Sequence, residues 1–267
     1  MLFKKTKCPN CETYHDPTLY ECPTCHNKNE LFSLNRLPKR VVFLHPIAQV
    51  AMFLAGFSMA GMLLIEIFYG LIFSNFTWSD ELKNIAILAT TYVTMLVCLL
   101  SIPLATRRKL FFSKFTNGFD YLFGLLYAIG IVLSGIIIGL IMLLVPDTGT
   151  NANQEAAESI IKNYPIIAVV VLCIIGPICE ELTYRVGLYS FLRRINKYLA
   201  FSLTTVIFAL IHFDFSAENM LNELCALPSY LACGFLLTMA YEHRGPACSI
   251  LAHIAYNSMS VLITVFR

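Results

Sequence analysis

Seven long apolar segments alternate with short polar connections along most of this 267-residue chain. They lie at about 47–73, 85–105, 120–145, 164–184, 199–213, 225–241 and 246–266. Because a helix needs about 20 apolar residues to cross the hydrocarbon core of a bilayer, most of these segments are long enough to span a membrane. The pattern predicts an all-α fold, a polytopic transmembrane bundle of about seven spans. The low content of charged residues, 13% against about 25% in soluble domains, favours the same class.

Lys and Arg residues concentrate in every second connection between the apolar segments. Residues 1–42, 106–117, 185–198 and 242–245 hold sixteen of them, and the rest of the chain holds three. Cytoplasmic loops carry such an excess of basic residues, so the count predicts a multi-pass protein of the cell membrane with its N-terminus in the cytoplasm. We expect no cleavable signal peptide. The net charge of +2 gives no indication of a nucleic-acid partner.

Four cysteines precede the apolar segments in the pattern CPNC, ten residues, CPTC. They are Cys8, Cys11, Cys22 and Cys25. Two CxxC turns present four thiolates, which suit a closed tetrahedral zinc site, and a segment this small needs the metal to fold. We therefore predict a structural zinc ribbon at 1–32, with a redox dithiol pair as the alternative. His15 and His26 could substitute as ligands, but they are interpreted as surface residues.

The rest of the chain divides into a basic linker at 33–46 and the transmembrane bundle at 47–267. The other six cysteines lie in apolar segments and are interpreted as small buried hydrophobic residues; they are Cys98, Cys173, Cys179, Cys225, Cys233 and Cys248. In the third apolar segment, Gly135 and Gly139 form a GxxxG pattern. This pattern predicts close packing against another helix, or else glycines without a special contact.

A few polar residues interrupt the apolar segments. They are Glu66, Glu180, Glu181, Arg185, His212, His253 and Asn257. A charge at the bilayer centre costs at least about 2.5 kcal/mol, so each such residue is a candidate for function. Glu66 is interpreted more simply, as an interfacial carboxylate or a packing hydrogen bond.

Helical spacing separates the two adjacent glutamates. Glu181 and Arg185 are four residues apart and share a helix face, so they are expected to pair. Glu180 then faces another direction, beside a kink expected at Pro177. Taken alone, the pair also fits a salt-bridged helix end at the membrane surface. His212 alone also fits a packing residue, and His253 with Asn257 also fits hydrogen bonding between helices.

Three short motifs occur in order: EELTYR as EExxxR, FALIH as FxxxH, and HIAYN as HxxxN. In this set the chain resembles the CPBP family of intramembrane proteases, which includes CAAX prenyl endopeptidases and bacteriocin-processing and self-immunity proteins. The resemblance covers about 165–260. It leaves out the N-terminal cysteines, which resemble the short zinc ribbons of other prokaryotic membrane proteins.

The resemblance implies a role for each motif residue. Glu180 and His212 activate a water for attack on a peptide carbonyl, and His253 with Asn257 stabilises the oxyanion. Glu181 and Arg185 support them. The family resemblance also allows a catalytic divalent metal such as zinc on Glu180, His212 and His253, and a metal-free glutamate mechanism uses the same residues.

Three functions follow as hypotheses. The first is an intramembrane endopeptidase that cuts a membrane-embedded or membrane-associated peptide. The alternative is a non-proteolytic member of the same fold that binds a peptide or partner, in immunity or regulation. The third is a small transporter that relays ions. The ribbon is expected to recruit a cytoplasmic protein.

The predicted span boundaries conflict with a shared site. They place Glu180 near the cytoplasmic end of the fourth span, whereas His212 lies about 20 Å from the start of the fifth. A shared site requires that these boundaries shift, that the fifth span tilts, or that it is interrupted.

Overall fold

The structure is a computed structural model that describes residues 6–8, 10–15, 19, 21–27, 38, 40–60 and 63–266, without the side chains of 59–67. Residues 33–37 and 39 of the predicted linker at 33–46 and the side chain of Glu66 therefore lie outside the described residues. A two-residue antiparallel pair, β1 (Thr6–Lys7) and β2 (Tyr14–His15), lies beside the first CxxC turn.

Helices joined by turns and loops make up the rest of the described chain and confirm the predicted all-α class. They are α1 (Pro46–Ala60), α2 (Leu63–Phe73), α3 (Asp80–Phe112), α4 (Gly118–Met142), α5 (Ala152–Asn163), α6 (Pro165–Leu192), α7 (Lys197–Leu210), α8 (Met220–Arg244) and α9 (Pro246–Phe266). Several begin at a side chain that accepts a hydrogen bond from the first turn, as Asn117 does for α4 and Asn196 for α7.

Five of the described helices are long and apolar enough to cross a membrane: α3, α4, α6, α8 and α9. Helices α1 and α7 are apolar but shorter. The predicted first span is thus divided between α1 and α2, and the count of seven is approximate. Large apolar side chains on α4 face outward, among them Ile129, Leu133 and Ile137, each more than half exposed. Such a surface is stable against lipid tails.

The predicted end of the fourth span is wrong. Helix α6 continues to Leu192, whereas the sequence places the end at residue 184. Glu180 is therefore about 18 Å from the end of α6, and His212 is about 22 Å from the start of α7. The longer helix removes the conflict in depth between these two residues.

Basic connections meet at one end of the bundle. Arg40 and Arg244 contact the buried carboxylate of Asp120 at 3.0 and 3.7 Å, and Arg193 binds the buried Glu242. Arg185, which the charge count placed in a connection, is instead fully buried inside the bundle. Without it, the excess of basic residues remains fifteen to three.

Close packing of α4 depends on a different glycine from those in the GxxxG pattern. A Cβ on Gly135 or Gly139 would meet no described atom within 4 Å. A Cβ on Gly124 would instead lie 2.9 Å from the carbonyl oxygen of Cys248 and 3.1 Å from the Cβ of Leu251, both in α9. Helices α4 and α9 therefore pack closely at Gly124.

We predict that Gly124→Ala destabilises the protein and Gly130→Ala does not. Because the added methyl meets backbone of α9, the helices must separate, at a cost of about 1–3 kcal/mol. Gly130 lies in the same helix with open space around it, so alanine there costs nothing and favours the helix slightly. Thermal unfolding of both variants in detergent checks this. Equal stabilities would contradict it.

Candidate active site

Helix α6 carries the first motif and is irregular on both sides of it. Two π-helical segments, Val169–Ile175 and Glu181–Tyr189, flank the α-helical turn Gly176–Glu180. Pro177 lacks an N–H and its ring crowds the preceding turn, which a wider turn relieves. The expected kink at Pro177 thus takes the form of a continuous helix with widened turns. Such segments are frequent at functional sites.

The structure brings Glu180, His212 and His253 together from α6, the end of α7 and α9. Glu180 Oε2 lies 3.9 Å from His212 Nε2 and 3.8 Å from His253 Nε2. The Glu180 and His212 side chains are 15% and 16% exposed, and His253 is 4% exposed. Glu180 Oε2 therefore lies within 4 Å of both imidazoles, in a place that is close to, but not sealed from, the molecular surface.

Hydrogen bonds on the far side of each imidazole fix which nitrogen faces this point. His212 Nδ1 lies 2.8 Å from the carbonyl oxygen of Phe208, and His253 Nδ1 lies 3.1 Å from Glu181 Oε1. Carbonyl and carboxylate oxygens only accept, so both Nδ1 atoms carry the hydrogen. In the neutral rings, the two Nε2 atoms then present lone pairs toward Glu180.

Two imidazole acceptors thus face one carboxylate oxygen. Glu180 Oε2 is buried, and no donor in the described part of the protein hydrogen-bonds to it. A buried carboxylate oxygen without a partner is costly, so this arrangement requires a proton, a water or a cation between the groups. Separations of 3.8–3.9 Å are too long for direct hydrogen bonds and suit a bridging atom.

Glu181 and Arg185 form a buried ion pair behind the site, at 2.9 Å. Arg185 also donates to the carbonyl of Gly234 in α8 at 3.0 Å, and its guanidinium lies 4.4 Å from the ring centre of Phe208. Since Glu181 also accepts from His253, the pair orients an imidazole of the site.

Asn257 has a different position from the other motif residues. Its Nδ2 donates to the carbonyl of Leu172 at 2.8 Å, within the first π-helical segment of α6. A widened turn displaces carbonyls from their usual partners, and the amide satisfies one of them. One hydrogen on Nδ2 remains for another acceptor.

Two aromatic residues of the site had no role in the sequence analysis. Phe208, the first residue of FALIH, lies between Arg185 and the rings of His212 and His253, with ring centres 4.9 and 5.9 Å away. Tyr230 of α8 stacks on His212. The FxxxH motif contained a signal for Phe208, but no sequence pattern distinguished Tyr230 from other tyrosines.

The four N-terminal cysteines form a second candidate site. Cys11 and Cys25 close matching turns, because Glu12 N–H donates to Cys8 O and His26 N–H donates to Cys22 O, both at 2.9 Å. The four sulfurs lie within 4.8 Å of one another, and the free thiols of Cys8 and Cys25 are 3.6 Å apart. A tetrahedral zinc with bonds of about 2.3 Å needs sulfurs about 3.8 Å apart. The cluster therefore fits a metal.

One interpretation at this cluster is wrong. His15 is 5% exposed and therefore not a surface residue, because it lies in β2 beside the cysteine turns. His26 is exposed, as expected.

Taken together, fold and site define a polytopic helical membrane protein in which two histidines face one glutamate between the helices. Residues 162–259 match the family model of the type II CAAX prenyl endopeptidase Rce1-like proteins, a protease family. This segment contains all three motifs and confirms the resemblance to the CPBP family. This conclusion rests on a match that covers residues 162–259, which are part of the chain.

A curated relative covers a similar share of the molecule. The chain is 24% identical over 134 residues to the UPF0177 protein YvdC of Lactococcus lactis subsp. lactis (strain IL1403). The match spans 50% of this chain and 49% of the relative, so about half of each protein is compared. No solved structure matches the chain.

We predict that Arg185→Met strongly destabilises the protein. Removal of the guanidinium leaves the buried Glu181 carboxylate without its cation, at a cost of about 3–5 kcal/mol. Lys83→Ala is the control, because the partner of Lys83 among the described residues is the exposed Asp80 at 3.7 Å and its loss costs about 0–1 kcal/mol. Thermal unfolding in detergent measures both. An Arg185→Met protein as stable as the control would contradict the expected cost.

Proposed function

We propose that this protein is an intramembrane endopeptidase that hydrolyses a peptide bond of a membrane-associated substrate. The convergence of Glu180 Oε2 with the Nε2 atoms of His212 and His253 supports this most directly. The match of residues 162–259 to a protease family supports it independently. A partly exposed point ringed by acceptors suits a water molecule that must lose a proton.

In the proposed reaction, Glu180 is the general base. A water between Glu180 and His212 gives a proton to the carboxylate as its oxygen attacks the carbonyl carbon of the substrate. The bound proton then passes to the leaving amine as the carbon–nitrogen bond breaks, which yields a carboxylate product and a free amine. His212 Nε2 accepts a hydrogen bond from the water and orients it.

In this proposal His253 and Asn257 stabilise the oxyanion. His253 is held by Glu181 with its Nε2 3.8 Å from Glu180 Oε2, and a proton placed between these two atoms would let the ring donate to the oxyanion. Asn257 donates its second Nδ2 hydrogen, since the carbonyl of Leu172 accepts only the first. Donors held in place before the reaction stabilise a developing oxyanion more than water does.

The same three side chains are the residue types of a His2Glu metal site, but among the described residues only the four cysteines place all their ligand atoms within 4.8 Å of one another. Both imidazoles have their Nδ1 atoms held by oxygen acceptors, as metal-binding histidines do. Glu180, His212 and His253 would hold an ion only if the two imidazoles moved closer together, and a bound ion would supply Lewis-acid activation of water. The two forms of the proposal differ in what lies between Glu180 and the imidazoles, a water molecule or a metal ion.

We predict that Glu180→Gln and His212→Ala each lower cleavage at least about 100-fold, because each removes a group that handles the water. The assay uses purified protein in liposomes with two probes, a library of quenched transmembrane peptides and a farnesylated CAAX peptide. Glu158→Gln is the matched control, since Glu158 bonds only Gln154 on the surface of α5. Full cleavage by Glu180→Gln would overturn the mechanism. Probe binding without cleavage by the wild type would favour the non-proteolytic alternative.

We propose that the N-terminal cluster holds a structural zinc. The wild-type protein is then expected to carry about one zinc per chain in elemental analysis, and Cys11→Ser to lose it. Cys98→Ser, which changes a cysteine of α3 far along the chain, is expected to keep it. Zinc retained by Cys11→Ser would contradict this site. If His212→Ala in the Cys11→Ser background loses a further metal, that metal belongs to Glu180 and the histidines.

We further propose that the basic end of the bundle faces the cytoplasm and that the ribbon recruits a protein partner there. The shared end of Arg40, Arg193 and Arg244 supports the orientation. Labelling of a cysteine placed at Lys109 from outside intact cells would contradict it. Unchanged activity and partner binding after deletion of 1–30 would remove the role of the ribbon.

A further inference from the structure

The loop between α4 and α5 is fastened to the first turns of α8. The backbone N–H of Gly149 donates to Asn222 Oδ1 at 2.8 Å, and Asn222 Nδ2 donates to the carbonyl of Thr150 at 3.0 Å. One asparagine side chain thus binds the loop backbone in both directions. Because these two hydrogen bonds run in opposite directions, they fix the position of the loop backbone relative to α8.

Glu223 extends this attachment toward the site. It is 1% exposed, and its Oε1 accepts from the N–H of Ala152, the first residue of α5, at 2.8 Å. Its Oε2 accepts from the N–H of Asp214, two residues beyond His212, at 3.1 Å. The carboxylate supplies the negative charge at the start of α5 that an N-cap side chain usually provides. Glu223 therefore joins the loop to the segment that follows His212.

Asn151 occupies the N-cap position of α5 but does not cap it. Its Nδ2 donates instead to the hydroxyl of Tyr230 at 3.2 Å, and Asn153 Nδ2 donates to the same hydroxyl at 2.9 Å. Asn151 is 4% exposed. The ring of Tyr230 stacks on the imidazole of His212, with ring centres 4.7 Å apart and planes inclined by 21°.

We infer that Tyr230 is a positioning residue for His212, and that the loop of residues 149–153 holds Tyr230 in place through Asn151 and Asn153. The inference rests on the proposed function, since it assigns His212 a task that requires a fixed ring. It adds a part of the chain that none of the three motifs contains.

The geometry separates the role of the ring from that of the hydroxyl. The Phe208 carbonyl holds the His212 imidazole at Nδ1. This single hydrogen bond still allows the ring to rotate about the Nδ1–H···O axis. A stacked ring on its face restricts this rotation and keeps Nε2 directed at Glu180. The Tyr230 hydroxyl is engaged by two amides of the loop, so it anchors the ring and does not take part in the reaction.

Three variants test this inference. Tyr230→Leu removes the stacked ring, Tyr230→Phe removes only the hydroxyl, and the double variant Asn151→Ala/Asn153→Ala removes only its partners. Misplacement of a catalytic group by about 1 Å costs on the order of 100-fold, so we expect Tyr230→Leu to lower kcat about 10- to 100-fold with KM changed less than about threefold. Gln154→Ala, in the same part of α5 but bonded to Glu158, is the control and keeps wild-type kcat.

Tyr230→Phe, the double asparagine variant and their combination form a double-mutant cycle. If the asparagines act through the hydroxyl, Tyr230→Phe and the double asparagine variant each lower kcat, and the combination lowers it no further than the larger single effect. Independent, multiplying effects would overturn the link between the loop and Tyr230. A Tyr230→Leu variant with wild-type kcat would overturn the positioning role. If this variant fails to fold, the cycle still decides the inference.

A second measurement does not depend on catalysis. Nitrogen-15 NMR of labelled histidine reports which ring nitrogen of His212 carries hydrogen, with His212→Ala used for assignment among the six histidines. The wild type is expected to show hydrogen at Nδ1 and a single ring state, whereas Tyr230→Leu and the double asparagine variant show a mixture of states. Unchanged His212 signals in both would overturn the inference. If the wild type cleaves no probe, the proposed function fails while these signals still test the position of the ring.

Discussion

The buried Arg185 guanidinium is the interaction on which the site depends. A charge inside an apolar bundle is stable only when its partners are fixed, and Arg185 has partners on three helices. It pairs with Glu181 of α6, donates to Gly234 of α8 and lies over Phe208 of α7. Through Glu181 it also reaches His253 of α9. One cation thus sets the relative positions of the four helices that contribute to the site.

The chemistry of the site follows from hydrogen-bond acceptors that face one another without a donor between them. Each imidazole uses its Nδ1 hydrogen outside the site, which directs a lone pair at a carboxylate that has no donor among the described residues. Natural proteins rarely leave a buried acceptor without a partner. A site that holds this arrangement is prepared for a species that brings hydrogens or positive charge. That requirement is common to a reactive water and to a metal ion.

Much of this arrangement could be predicted from the sequence because the membrane makes polar residues conspicuous. The spacing of Glu181 and Arg185 indicated their pair, and the CxxC turns indicated the cysteine cluster. The end of α6 could not be predicted in this way, because Arg185 resembles the charge that normally marks a membrane surface. The π-helical segments and the contacts of Asn151 depend on tertiary packing, which leaves no periodic signal. Gly124 lacked a partner glycine four residues away, so a GxxxG search passed over it.

The turn between α8 and α9 consists of Gly245 alone. Its φ of 82° is accessible chiefly to glycine, and a Cβ there would overlap the carbonyl of Arg40. Because the connection is a single residue, it fixes the rotation of α9 about its own axis relative to α8. Each residue of a helix adds about 100° of rotation, so one inserted residue after Gly245 would turn the His253 side chain to a different face of α9. Among homologous chains, the length of this turn should therefore vary far less than its neighbouring loops, even where no residue of the turn touches a substrate.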